Sequence, residues 1–244
     1  FYSKIFVKLF RFVDGIIFIS EMEKKNILAI NSKLISSIPN EVIYNCASND
    51  LLNNKIKVNK KYYRAIFLGR IDRSRAPDRL IKLAQLIKKE KLPIKFYIYG
   101  KDSRKSIFNK KQAVTKNVLK ENITFYGLKN IVFFKGFTNT PEKIITKSDI
   151  LISPDRMNEP WGRDIIESLS AGLIVIATGK DEVFIKNNIN GFLVGDWNAQ
   201  EVAKILKRVT LNKDKLKKIK EAARLTAENL LKMANHKKKI SLFF

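Results

Sequence analysis

The sequence is poor in the residues that build metal and disulfide chemistry. It has a single cysteine, Cys46, and a single histidine, His236. A disulfide framework and a cysteine zinc cluster are therefore excluded, and so is a zinc site built on several histidines. With only 10 Gly and 6 Pro in 244 residues, collagen-like and low-complexity folds are excluded as well. No apolar run approaches the ~18 residues of a membrane-spanning helix. Acidic residues are also scarce: 23 Asp and Glu stand against 48 Lys and Arg, a formal net charge of +25. Such a surplus lies on the surface, where it suits nucleic acid, an anionic membrane face or a phosphorylated ligand. A compositional bias toward Lys, Ile and Asn accounts for its bulk equally well.

What remains is an ordinary globular mixture, 45% hydrophobic and 29% charged, too apolar for a disordered chain. The first residue is Phe1, and no charged start, apolar stretch and small-residue cleavage site follow in order. The expectation is a chain that begins inside a longer protein.

Hydrophobic patterning predicts alternating elements. Residues 1–13 carry apolar side chains at helical spacing with a basic opposite face, which suits the core side of a domain helix or a membrane surface. Short apolar runs at 15–20, 42–45, 63–69, 94–100, 131–137, 150–154, 174–178 and 191–195 read as strands. Helices are expected at 77–91, at 141–149, from Pro160 to just before Gly172, at 181–188, and from about Asn198 onward. The basic segment 101–121 reads as helical. Continuous apolar strands alternating with helices imply an α/β fold: a Rossmann-like, doubly wound parallel sheet covered on both faces. Neither GxGxxG nor GxxxxGK[ST] is present, which argues against a dinucleotide fingerprint and a P-loop.

In such a sheet ligands sit beyond the carboxyl ends of the strands. Two loops there carry unusual chemistry. GRIDRSR follows the strand that ends at Gly69, and Arg70 and Arg75 leave that one strand end together. Two guanidinium forks suit a diphosphate, although two solvated surface arginines would look the same. SPDRMNEPWGRDIIE follows the strand 150–154 and leads into a helix whose start offers free N–H groups. Gly162 leaves that backbone open to an anion. Glu159 precedes the helix, and Glu167, eight residues on, is expected two turns inside it. At helical rise the two carboxylates would lie ~12 Å apart. That exceeds the ~5–9.5 Å of a glycosidase pair, so they fit better as two separate clamps for sugar hydroxyls. Trp161 suits a stacking role or a buried anchor. Cys46 reads as a small core thiol and His236, beside Lys237, Lys238 and Lys239, as solvated.

EPWGRDIIE is similar to the E-x7-E motif of family 4 glycosyltransferases of the GT-B fold. The context agrees in order along the chain. GRIDRSRAPD resembles the family's first loop, with Arg75 where Lys is usual and Ala76 where Gly is usual. FFKGF, SDILISP, SAGLIVIATG and NNINGFLVG resemble later stretches, and VDGIIFIS with VIYNCAS resembles the passage from the first domain to the second.

The resemblance implies two Rossmann-like domains with a cleft between them. Residues 1–45 would be the remnant of an otherwise missing N-terminal acceptor domain and the linker. Residues 46–212 would be the nucleotide-sugar-binding domain, and 213–244 a basic helical region that packs back across the first domain. It implies that Arg70 and Arg75 hold the donor diphosphate, Glu159 lies at the donor sugar and Glu167 holds the ribose. Backbone near Trp161 and Gly162 would face phosphates or sugar, the base would pack near the Phe134–Phe137 strand end, and Gly69 and Gly136 would also bind substrate. The implied activity is retaining transfer of a sugar from a nucleotide-sugar to a glycan or lipid-linked acceptor, in polysaccharide or lipopolysaccharide biosynthesis, with no metal and no other cofactor. The expected setting is cytoplasmic, with peripheral contact to an anionic membrane and no nucleic-acid partner. Without the first domain the chain is expected to transfer sugar poorly. The alternatives are a non-catalytic sugar-nucleotide-binding module and, behind it, a basic nucleic-acid-binding domain.

Overall fold

The computed structural model describes residues 9–56, 58, 60–103, 114–230 and 233–243. Near the start, two short parallel strands, β1 (Ile16–Phe18) and β2 (Asn40–Val42), pair side by side. Helices α1 (Glu21–Leu28) and α2 (Ser32–Ser36) connect them. A reciprocal cap starts α1: Ser20 Oγ accepts from Glu23 N at 3.0 Å, and Glu23 Oε2 accepts from Ile19 N at 2.9 Å. The unit closes over Ile16, Phe18, Ile27, Ile35, Ile38 and Val42.

The larger unit is a six-stranded, all-parallel sheet in the order β5-β4-β3-β6-β7-β8. Its strands are β3 (Tyr63–Leu68), β4 (Ile94–Tyr99), β5 (Val132–Gly136), β6 (Ile150–Ser153), β7 (Ile174–Thr178) and β8 (Phe192–Val194). Every residue of β6 and β7 is buried, which explains their unbroken apolar sequence. One face of the sheet is covered by α3 (Arg79–Lys89), α4 (Lys116–Phe125) and α7 (Ala199–Leu211), through residues such as Leu83, Leu119 and Leu206. The other is covered by α5 (Pro141–Ile145), α6 (Arg163–Ser170) and a 3-10 turn at Asn49–Asn53. The Rossmann-like, doubly wound parallel α/β architecture is thus as expected.

Several boundaries differ from expectation. The strand expected at 42–45 forms at Asn40–Val42, because its partner ends where Ser20 turns into α1; only Ile43 N still reaches Phe18 O. Most of the helix expected at 1–13 lies outside the described residues, and Leu9–Phe12 forms a 3-10 turn. The middle of the segment 101–121 likewise lies outside them, and α4 begins only at Lys116, capped by Thr115. No helix forms at 181–188. Side chains take the backbone groups that a helix would use: Asp181 Oδ1 accepts from Val183 N, while Asn190 accepts from Lys186 N and donates to Phe184 O.

The helix expected from Pro160 starts later, at Arg163, with Gly162 as its N-cap. Pro160 packs instead against Gly179, where an added Cβ would sit 2.7 Å from Pro160 Cδ. Glu167 is therefore one turn inside the helix rather than two, and the helical rise does not carry over to Glu159.

The basic region after 212 forms two helices, α8 (Lys213–Leu230) and α9 (Met233–Phe243). The first joins the large unit: Leu216, Ile219, Ala223 and Ala227 are buried, and the Lys220 ammonium lies 3.3 Å from Asp149 at the start of β6. The second carries Phe243 back to Gly15, at the edge of the small unit.

Candidate functional site

The sheet order reverses between β3 and β6, so the loops after these two strands diverge around a crevice, the usual place for a ligand. Hydrogen bonds lock the two loops together. Arg156 N donates to Ser74 O at 2.7 Å, and its guanidinium forks onto both oxygens of Asp78. From the start of α3, Arg79 donates to the carbonyls of Pro154 and Asp155.

Arg75 lies at the centre. Its Nη2 donates to Asp164 Oδ2 at 2.8 Å, and its Nη1 lies 3.5 Å from Asp155 Oδ2. Asp164, foremost, raises its pKa against the opposing effect of burial. Added Cβ atoms at Gly69 and Gly162 would lie 3.1 Å from Arg75 Nε and 3.6 Å from its Nη1. The arginine is thus wedged between the end of β3 and the start of α6. Asp72 organises the loop: Oδ1 accepts from Ser74 Oγ and Arg75 N, and Oδ2 from Arg70 Nε at 3.1 Å. The Arg70 side chain is 68% exposed, and among the described residues Asp72 is its ion-pair partner. Two forks converging on one anion were the expectation; both arginines are engaged by carboxylates, Arg75 by Asp164 and Asp155 and the more exposed Arg70 by Asp72.

Glu159 stands on the rim of a cavity of about 600 Å³ between α1 and the loop 157–161. Trp161 and Met157 share its wall with Met22 and Ile19 from the small unit. Partial desolvation, then the neighbouring Asp155, push the Glu159 carboxyl above its usual range. Glu167 is buried, and burial raises its pKa too, partly offset by Arg163. Its Oε1 accepts from Arg163 at 2.9 Å, while the second oxygen has no partner among the described residues.

Arg75, Gly69 and Gly162 therefore converge, with Arg70 in the same loop and Glu159 and Trp161 on the cleft side. Glu167 flanks Asp164 on the helix. Gly136 lies farther along the row of strand ends, where its carbonyl accepts from Gly100 N at 2.8 Å and its φ of 76° is left-handed. Three residues that matter here were not singled out in the sequence: Asp164, Asp155 and Gly100. For Gly100 a signal existed, since three successive strands end in glycine. For the aspartates there was none, because only the fold brings them to Arg75.

The glycosyl transferases group 1 profile matches residues 48–226. The chain belongs to this family. Among curated relatives it is 29% identical over 206 residues to the poly(ribitol-phosphate) α-N-acetylglucosaminyltransferase of Staphylococcus aureus, covering 81% of this chain and 37% of that protein. It is 24% identical over 218 residues to the poly(glycerol-phosphate) α-glucosyltransferase of Bacillus subtilis, covering 87% of this chain and 29% of the relative. This group 1 chain thus spans about a third of the length of the curated relatives it matches. Among solved structures it superposes on a TarM variant of S. aureus bound to fondaparinux, α-GlcNAc-glycerol and UDP. The TM-score is 0.80 at 23% identity, covering 98% of this chain and 46% of that one.

Proposed function

We propose that this chain is the donor-binding part of a retaining, family 4 glycosyltransferase that moves a hexosyl-type sugar from a nucleotide-sugar to a hydroxyl of a polymeric or lipid-linked acceptor. The observation that carries this reading is Arg75 held between Gly69 and Gly162 at the β3–β6 crevice, with carboxylates on either side.

The donor's diphosphate would meet Arg75, the exposed fork of Arg70 and the first N–H groups of α6. As the glycosidic bond to phosphate breaks, negative charge grows on the departing diphosphate. Groups already aimed at that charge stabilise it without reorganising. Arg75 would then be shared between Asp164 and phosphate, so its positive charge reaches the ligand reduced. Arg70, held by Asp72 through Nε, would offer its exposed terminal nitrogens to the diphosphate. Glu167, with one oxygen uncommitted, would accept from ribose hydroxyls, and Glu159 with Trp161 would border the donor sugar. The base would lie beyond Gly69, near Gly136.

The names of the relatives support a glycan or polyol-phosphate acceptor. The proposed setting is the cytoplasmic side of a membrane, whose anionic face would attract the +25 chain. The acceptor pocket would be completed by an N-terminal domain, so the chain alone would bind donor weakly and turn over slowly.

Thermal denaturation with UDP-, GDP- and ADP-sugars tests the reading. One class of donor should raise the melting temperature, and Glu167→Ala should lose that response. A chain indifferent to all three would refute it.

A further inference from the structure

The sheet face opposite α3 and α4 is only half covered. The crossover helix α5 has just five residues, and among the described residues the apolar cluster it forms with α6 takes in residues of β3, β4 and β6 but none of β5. Phe133, half-buried, belongs to neither apolar cluster of the large unit.

The residues that alternate onto this face are cationic and aromatic. Arg64 lies over the Tyr97 ring at 4.0 Å, and Phe133 stacks on Tyr97 from the next strand at 5.0 Å. Lys95 and Lys135 flank Phe133, at 6.0 and 5.8 Å from its centroid. Beyond the strand ends Lys101 sits 5.0 Å from the Phe137 ring. Among the described residues, no carboxylate lies within ion-pair distance of Lys95, Lys101 or Lys135. From Lys95 to Lys101 the strip runs six residues, about 20 Å at strand rise, and it ends beside the glycine row of the crevice.

We propose that this strip is a secondary track for the acceptor, which would be a polyol-phosphate polymer. Its phosphodiesters sit on Lys95, Lys135 and Lys101, and its carbon backbone lies along Phe133 and Phe137. Three unpaired cations in a line match a repeating anion rather than a single phosphate. Nucleic acid fits less well: both faces of the central ring, Tyr97, are already taken, by Arg64 and by Phe133, which breaks the row of platforms that successive bases would need. The proposal rests on the acceptor class proposed above.

The test is binding of a fluorescent glycerol-phosphate oligomer to the 244-residue chain over a salt series, beside neutral dextran and oligo(dT). The oligomer should bind with affinity that falls as salt rises, and Lys95→Glu/Lys135→Glu should weaken it at least tenfold. A control of equal charge change, Lys218→Glu/Lys237→Glu, should weaken it far less. Both double variants should keep the melting temperature of the parent and the same response to nucleotide-sugar; Lys95→Gln/Lys135→Gln serves if the reversal does not fold. Equal loss in the control, tighter binding of oligo(dT), or equal binding of dextran would overturn the track. A missing nucleotide-sugar response with intact oligomer binding would overturn the donor reading instead.

Discussion

Gly100 is pressed against the carbonyl of Gly69: a Cβ at position 100 would fall 1.9 Å from that oxygen. The contact joins the ends of β3 and β4 directly beneath the crevice, and the obstacle is backbone, which cannot swing aside. Gly100→Ala should therefore cost about 3 kcal/mol through overpacking. That would lower the melting temperature by roughly 10 °C in a chain of this size. Gly136→Ala meets nothing within 4 Å and should cost less, only the strain of its left-handed φ. Calorimetry on the two variants checks the order.

The two loop arginines should separate clearly in stability. Arg75→Ala strands Asp155 and Asp164, whose side chains are 4% and 11% exposed. Removing one member of a buried ion pair costs about 3–5 kcal/mol; the partial exposure of Arg75 reduces this to about 2–4 kcal/mol. Arg70→Ala removes an exposed side chain and should cost about 0.5 kcal/mol or less. Urea unfolding of both variants measures the gap. In donor binding the contrast should shrink, because the terminal nitrogens of Arg70 stand exposed in the same loop.

Glu167 ties stability to pH. Its folded pKa is raised above the unfolded value, chiefly by burial. Such a group favours folding below the unfolded pKa, and that contribution is lost as pH rises through the folded value. Glu167→Gln imitates the protonated form. Its urea midpoint relative to the parent should therefore be higher near about pH 7.5 than near about pH 4. An advantage that grows on acidification would contradict the assigned cause.

Asp149 and Lys220 form a second buried pair, at 1% and 3% side-chain exposure, with Lys60 2.7 Å from the same carboxylate. Asp149→Ala removes the carboxylate that Lys60 and Lys220 share and takes an acceptor from Arg64 N, so it should cost about 3–5 kcal/mol. Lys220→Met should be nearly neutral, because Lys60 still satisfies Asp149 and the ammonium is already disfavoured by burial. Paired unfolding curves give the comparison.

The sheet and most of its helices were legible in the sequence because apolar runs such as ILIS and IVIAT are long enough to identify buried strands. That Arg70, Arg75, Glu159 and Gly162 lie in the two loops at the crevice was legible for a different reason: each loop follows a strand end. The start of α6 was misjudged because Pro160 looks like a first-turn residue, whereas Gly179 offers it a flat surface in the turn before. The absent helix at 181–188 was hidden because its breakers are side-chain hydrogen bonds of Asp181 and Asn190, not a Gly or Pro. The carboxylates around Arg75 could not be foreseen, since Asp155 and Asp164 are 80 and 89 residues away from it in the chain.

The braces between the β3 and β6 loops also bear on energetics. Arg156 and Arg79 fasten both loops to each other before any ligand arrives. The conformational freedom of the mouth is surrendered when the protein folds, not when it meets a nucleotide. Capture of the diphosphate should then proceed with little loop ordering, and its heat-capacity change should report buried area alone.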